Sequence, residues 1–197
     1  MSIARQEFRA HMFDRSRVVH SRPYNIHHYP RMLLCMLAFL GFGQLEHIGH
    51  DITVIPQQLS LQHPGTIKVK SIAYEIVHRI FYNFVLRGRG TVCWHVHRGR
   101  KDYVIKDSWT HESRLNHEAD ILMKILGVKG VPQLIAAWTV QIGGSDDQTD
   151  LRRPFLTSPS NIRIHRRLLM ERVGIPLSEF KTIRELLSIL IDILDST

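Results

Sequence analysis

Leu86-Arg87-Gly88-Arg89-Gly90-Thr91, then Tyr103-Val104-Ile105-Lys106, then Glu118: the order of these three pieces decides the fold. Gly88 and Gly90 stand between two strand-like runs. Glycine there lets the backbone turn sharply and approach an anion closely. Lys106 lies on the next strand, flanked by Val104 and Ile105. Glu118 falls inside a helical stretch. On that helix Leu115, Ile121, Leu122, Ile125 and Leu126 cover a sector of roughly 140°, with Glu118 in its middle. A lone carboxylate on a buried face is costly unless it is paired. Lys106 is the partner on offer. A strand lysine held by a helix glutamate keeps an ammonium where a phosphate can reach it. The other readings are that Glu118 escapes at the edge of the helix contact, or that the two form only a core ion pair.

Working outward, residues 7–13 alternate apolar and polar as a strand, and Asp14-Arg15-Ser16-Arg17 turns into Val18-Val19, which predicts a hairpin. Pro30 opens a helix over about 31–46 that is apolar nearly all round and is expected to be buried. Ile67 to Val69 is a short strand, and Ala73 to Leu86 a long or bent one. Strands follow at 91–97 and 102–107, joined by the basic turn Arg98-Gly99-Arg100-Lys101. A helix is expected from about Thr110 to Leu126, capped by Gly127. Residues 131–142 and 162–170 read as strands, with a loop over 143–161 between them. Thr182-Ile183-Arg184-Glu185 is a capping-box signature. Ile183, Leu186, Leu187, Leu190 and Leu194 then keep helical spacing.

Composition bounds the partners. The chain has 197 residues, 44% hydrophobic and 22% charged, so a packed core is expected. Its net charge of +8 suits anionic ligands. Cys35 and Cys93 sit among apolar residues, which fits a reduced, intracellular chain in cytoplasm or nucleus and gives no disulfide framework. The N-terminus has no apolar segment of the signal-peptide kind. The longest apolar run, Met32 to Leu40, is about half of a bilayer span, so no membrane segment is expected.

The order of glycine loop, Tyr-Val-Ile-Lys, helix glutamate and Leu168-Leu169-Met170-Glu171-Arg172-Val173-Gly174 resembles the small lobe of a eukaryotic-type protein kinase. The details resemble the fungal-type protein kinase family more closely. They are Phe13-Asp14-Arg15-Ser16, His47-Ile48-Gly49-His50-Asp51, the glycine loop itself, Lys106-Asp107-Ser108-Trp109, and His165-Arg166-Arg167 with Gly174-Ile175-Pro176-Leu177. The resemblance implies an α+β fold. It has an N-terminal hairpin and buried helix (1–72), a small lobe with a five-stranded antiparallel sheet and one central helix (73–174), and the first helices of a large lobe (175–197). It implies ATP as ligand, with Mg²⁺ accompanying it. Gly88 and Gly90 would cover the phosphates, and Lys106, held by Glu118, would contact the α- and β-phosphates. Val104 would pack on the adenine. Met170 would be the gatekeeper, with Glu171 to Val173 as the hinge. Where the family's loop continues to a third glycine, this chain has Cys93, and Arg17 replaces the glycine that follows Asp-Arg-Ser. The sequence contains no His-Arg-Asp loop and no Asp-Phe-Gly metal site. It is therefore expected to be the ATP-binding portion of a serine/threonine kinase, truncated before the catalytic loop and inactive in phosphoryl transfer.

Two other functions compete. One is a non-catalytic pseudokinase or scaffold that binds a protein partner. The other is a basic nucleic-acid-binding surface built on Arg87, Arg89, Arg98, Arg100 and Lys101 with Trp94 and Tyr103 between them. A metal site is not expected. His95 and His97 share a strand face and His47 and His50 lie a helical turn apart, but no spacing among the 13 histidines makes a closed zinc set.

Overall fold

The computed structural model describes residues 1–55, 65–151 and 161–195. The N-terminal part holds β1 (Ser2–Ala4), β2 (Glu7–Arg9), β3 (His11–Phe13), β4 (Val18–His20), β5 (Tyr24–Asn25) and helix α1 (Pro30–Phe42). Then come β6 (Val54–Ile55), β7 (Thr66–Val69), β8 (Ile72–Tyr82), β9 (Val92–Arg98), β10 (Lys101–His111) and helix α2 (His117–Lys124). The chain continues through β11 (Gln133–Thr139), β12 (Gln141–Ile142), β13 (Ser145–Asp146), β14 (Arg163–Glu171) and helix α3 (Ile183–Asp195).

One antiparallel sheet organises the molecule, in the order β11-β14-β10-β9-β8-β7-β6. It has seven strands where five were expected, because β6 and β7 add to the edge of β8. Cross-strand partners share a face. On one face Ile67, Val69, Tyr74, Val96, Tyr103, Ile105 and Leu169 form the main core. On the other, Leu168 and Met170 pack with Ala119 of α2, and Val104 and Leu122 join them.

Several local expectations change. Residues 7–13 do not form one strand. Ala10 exchanges hydrogen bonds with Ser21, and the chain passes there from the β1-β2-β5 sheet into the β3–β4 hairpin. The turn at Asp14 to Arg17 is as expected, with the Asp14 carboxylate accepting from the amides of Ser16 (2.6 Å) and Arg17 (2.9 Å).

Helix α1 was expected to be buried and is not. None of its residues is buried, and Leu34 is 63% and Phe42 91% exposed. An apolar circumference asks for a covering surface but does not supply one, and no described element covers this helix.

β10 runs on to His111 because Ser108 to His111 stay paired with Arg166 to Arg163 of β14. The following helix therefore starts near His117, not near Thr110. The expected 131–142 strand breaks after Thr139, and its end, β12, forms a hairpin with β13 in the expected loop, which also holds two buried polar residues, Asp147 and Thr149. Before α3, the Thr182 hydroxyl accepts from the Glu185 amide at 3.1 Å, as the capping signature predicts, while the Glu185 carboxylate accepts from the Lys181 amide, one residue before the cap, at 2.8 Å. Among the described residues no helix is long and apolar enough to cross a membrane.

Candidate functional site

The second face of the sheet brings the glycine loop, Lys106 and Glu118 together. Lys106 sits mid-β10, between Cys93 of β9 and Leu168 of β14 in register. Its ammonium is hydrogen-bonded to Oε1 of Glu118. The other oxygen, Oε2, accepts from Nη2 of Arg89 at 2.9 Å. Arg89 belongs to the glycine loop, so one carboxylate ties strand, helix and loop together. The buried side of α2 is centred on Ala119 and Leu122 and not on Glu118, which lies at its edge with 35% of its side chain exposed. Glu118 thus sits at the edge of the helix contact and is paired there with Lys106, in a partly exposed pair and not a core one.

The loop is fixed by its neighbours. The Arg89 carbonyl accepts from the Trp109 amide at 2.7 Å, which docks the loop on β10. The Gly88 amide donates to the Arg15 carbonyl at 2.9 Å, and the Arg15 guanidinium donates to the Val85 carbonyl. Gly90 is buried with φ +48°, and a Cβ placed there would lie 2.3 Å from the Arg15 guanidinium carbon. The Asp14-Arg15-Ser16 turn is therefore a buttress under the loop. Ser16 anchors that turn, with its hydroxyl 2.5 Å from the Asn161 carbonyl and 3.0 Å from Thr149 Oγ1.

Val104 stands across from Met170 in register, and Met170 is buried. Glu171 ends β14, opposite Gln133, and is exposed, while Val173 is half-buried just beyond it. Beside the Lys106–Glu118 pair opens a cleft of about 740 Å³. Four guanidiniums line it (Arg89, Arg114, Arg163 and Arg166) against one carboxylate, Glu118, with Ser108 and Thr110 on its floor. Cys93, which faces Lys106, has its thiol pushed up in pKa by burial.

The opposite face holds a buried charge network that sequence reasoning did not assemble. Arg167 is 1% exposed and bonds Asp107 through Nε (2.6 Å) and Nη2 (3.1 Å), Asp51 at 2.5 Å and the Thr53 hydroxyl at 2.7 Å. His165 lies 3.4 Å from Asp107 and 3.1 Å from Asp147, with the Trp109 ring stacked on it at 4.9 Å. Burial opposes charge on His165, but the hydrogen bonds to Asp107 and Asp147 outweigh it and raise its pKa to about 9. Burial likewise opposes charge on Asp107, yet Arg167 and His165 hold it below the usual carboxylate range. Three quoted stretches, around Asp51, Asp107 and His165, thus meet in one place. The signal was in the sequence as charged residues of opposite sign on alternating strand positions, but only the register tells which of them meet.

The fungal protein kinase family matches residues 1–161, and the chain belongs to that family. The match takes in the Arg15 turn, the glycine loop, Lys106, Glu118 and Asp51. Met170, Glu171 and Val173 lie past its end. No curated protein matches the chain.

Proposed function

We propose that this chain is the ATP-binding portion of a fungal-type serine/threonine protein kinase. The observation that carries the reading is the Glu118 carboxylate shared between Lys106 and Arg89. Two cations on one carboxylate leave a positive charge to spare beside a glycine loop, and the adjoining cleft adds three more guanidiniums. The residues present therefore fit a polyphosphate. Lys106, oriented by Glu118, would hold the α- and β-phosphates. The backbone of Gly88 and Gly90 would lie over them, with the loop stiffened from beneath by Arg15. Val104 and Met170 supply apolar surface for an adenine ring, and Glu171 to Val173, at and just past the end of β14, supply backbone that a base can hydrogen-bond. Bound Mg-ATP would bring the transferable phosphoryl group. These 197 residues contain no His-Arg-Asp or Asp-Phe-Gly sequence, so the function read here is binding and not phosphoryl transfer.

Isothermal titration with Mg-ATP and with Mg-AMP tests this. The expected result is that ATP binds more tightly than AMP, and that Lys106→Ala and Glu118→Ala remove the difference. Equal affinity for both nucleotides, or an ATP affinity indifferent to Lys106, would overturn the reading. A polynucleotide that binds instead, with the steep salt dependence of phosphate contacts, would favour the nucleic-acid alternative.

A further inference from the structure

The β9–β10 hairpin carries a second cluster on the Lys106 face, at the end nearest its turn. His95 and His97 are two residues apart on β9 and project to the same side. Asp102 of β10 stands directly across from His97. Its Oδ1 lies 2.7 Å from His95 Nε2 and 2.6 Å from His97 Nδ1. All three ligand-type atoms fall within 4.8 Å of one another. Two neighbours crowd the same patch from β8. His78 is paired with His95, their rings 5.0 Å apart, and Glu75 is paired with His97.

We propose that His95, His97 and Asp102 bind one divalent transition-metal ion of the zinc class. Imidazole nitrogen and carboxylate oxygen are the donors such ions prefer, at about 2.0–2.2 Å from the metal. Ligand atoms around a tetrahedral ion then stand roughly 3.3 Å apart. Both observed Oδ1–N separations are shorter than that, so seating the ion opens the triangle by roughly 0.6–0.7 Å. The scaffold is rigid, since both strands are paired across the whole stretch and only a short turn joins them. His95 is the most buried of the three at 16% exposure, while His97 (42%) and Asp102 (50%) keep a solvent path by which an ion can enter. Asp102 and Glu75 offset the ion's charge against the basic turn residues Arg98, Arg100 and Lys101. Water, or His78, completes the shell. Sequence spacing alone did not show this site because the carboxylate comes from the far side of the turn, and its register decides the geometry.

The test is calorimetry of the full 197-residue chain, stripped of metal, with ZnCl₂, and a parallel CoCl₂ titration followed by visible absorption. The expected result is one saturable ion per chain, with a cobalt spectrum of low coordination number that zinc abolishes. His97→Gln and Asp102→Asn should each weaken binding by about 10- to 100-fold, no less than loss of an outer-shell partner does. His27→Gln, at an exposed histidine outside the hairpin, should leave it unchanged. Absence of a saturable one-equivalent event in the wild-type chain would overturn the proposal whatever the variants do. So would variants that bind as tightly as wild type, or a His27→Gln variant that loses the site. Circular dichroism of the metal-free variants confirms that each remains folded before it is compared.

Discussion

Lys106 and Asp107 are adjacent on β10 and face opposite sides of the sheet, and the two sides handle charge in opposite ways. On the Asp107 side the charges at the middle of the sheet are buried among partners. Arg167 spends its guanidinium on Asp107, Asp51 and Thr53, and His165 is held between Asp107 and Asp147. On the Lys106 side the charges are partly exposed, at 21% for Lys106, 35% for Glu118 and 54% for Arg89, and cations outnumber carboxylates. The same alternation repeats on β14, where Arg166 lines the basic cleft while its neighbour Arg167 is locked inside. A closed network fixes structure, and an open one is left with charge to offer a ligand. The network also ties Asp51 and Thr53, which precede the sheet's edge strands, to its central strands, so it holds the N-terminal region onto the sheet.

The contrast can be broken from either side. The largest effect is expected from Arg167→Ala, which strands Asp107 and Asp51 beneath the sheet and should cost about 3–5 kcal/mol in urea unfolding. Loss below about 1 kcal/mol would mean that the network is not what holds the N-terminal region in place. Next is pH. The folded pKa of His165, about 9, lies above its ordinary 6.5. Its contribution is therefore complete below pH 6.5, declines as pH rises, and is gone above about 9. The whole span is worth at most about 3 kcal/mol. His165→Gln should flatten the stability profile across that window, and an unchanged slope would remove His165 from the account. The smallest effect is at the loop. Gly90→Ala forces a side chain into the left-handed region and against Arg15, for about 1–2 kcal/mol. Because Arg15 can swing away, the double variant Arg15→Ala/Gly90→Ala should lose less than the sum of the two single variants. Strict additivity would mean that the Arg15 buttress is not coupled to the loop.

Much of this was legible in the sequence, and the reasons for the rest are physical. Local order fixed the glycine turn, the Lys106 strand, the α3 cap and the turn at Asp14, since each depends on residues within a few positions. The pairing of Glu118 with Lys106 was also readable, because a carboxylate near an apolar helix face needs a partner. What could not be read depends on contacts distant in sequence. The Arg167 network joins residues up to 116 positions apart. The Asp102 carboxylate reaches His95 and His97 only through the hairpin register. Arg89 as a second partner of Glu118 follows from the loop folding back onto Trp109. The burial of α1 failed for a further reason: composition states what a helix would favour, not what the chain provides to cover it.

The most direct test places both faces in one experiment: thermal melts of wild type, Lys106→Ala and Arg167→Ala, each with and without Mg-ATP. A ligand at 100 times its dissociation constant adds about 2.7 kcal/mol. The account predicts that Lys106→Ala melts close to wild type without nucleotide and gains nothing from it. Arg167→Ala should melt far lower, yet still rise with ATP under conditions where it is folded. An ATP response that survives Lys106→Ala, or a Lys106→Ala protein as unstable as Arg167→Ala, would contradict the division of the sheet into a closed face and an open one.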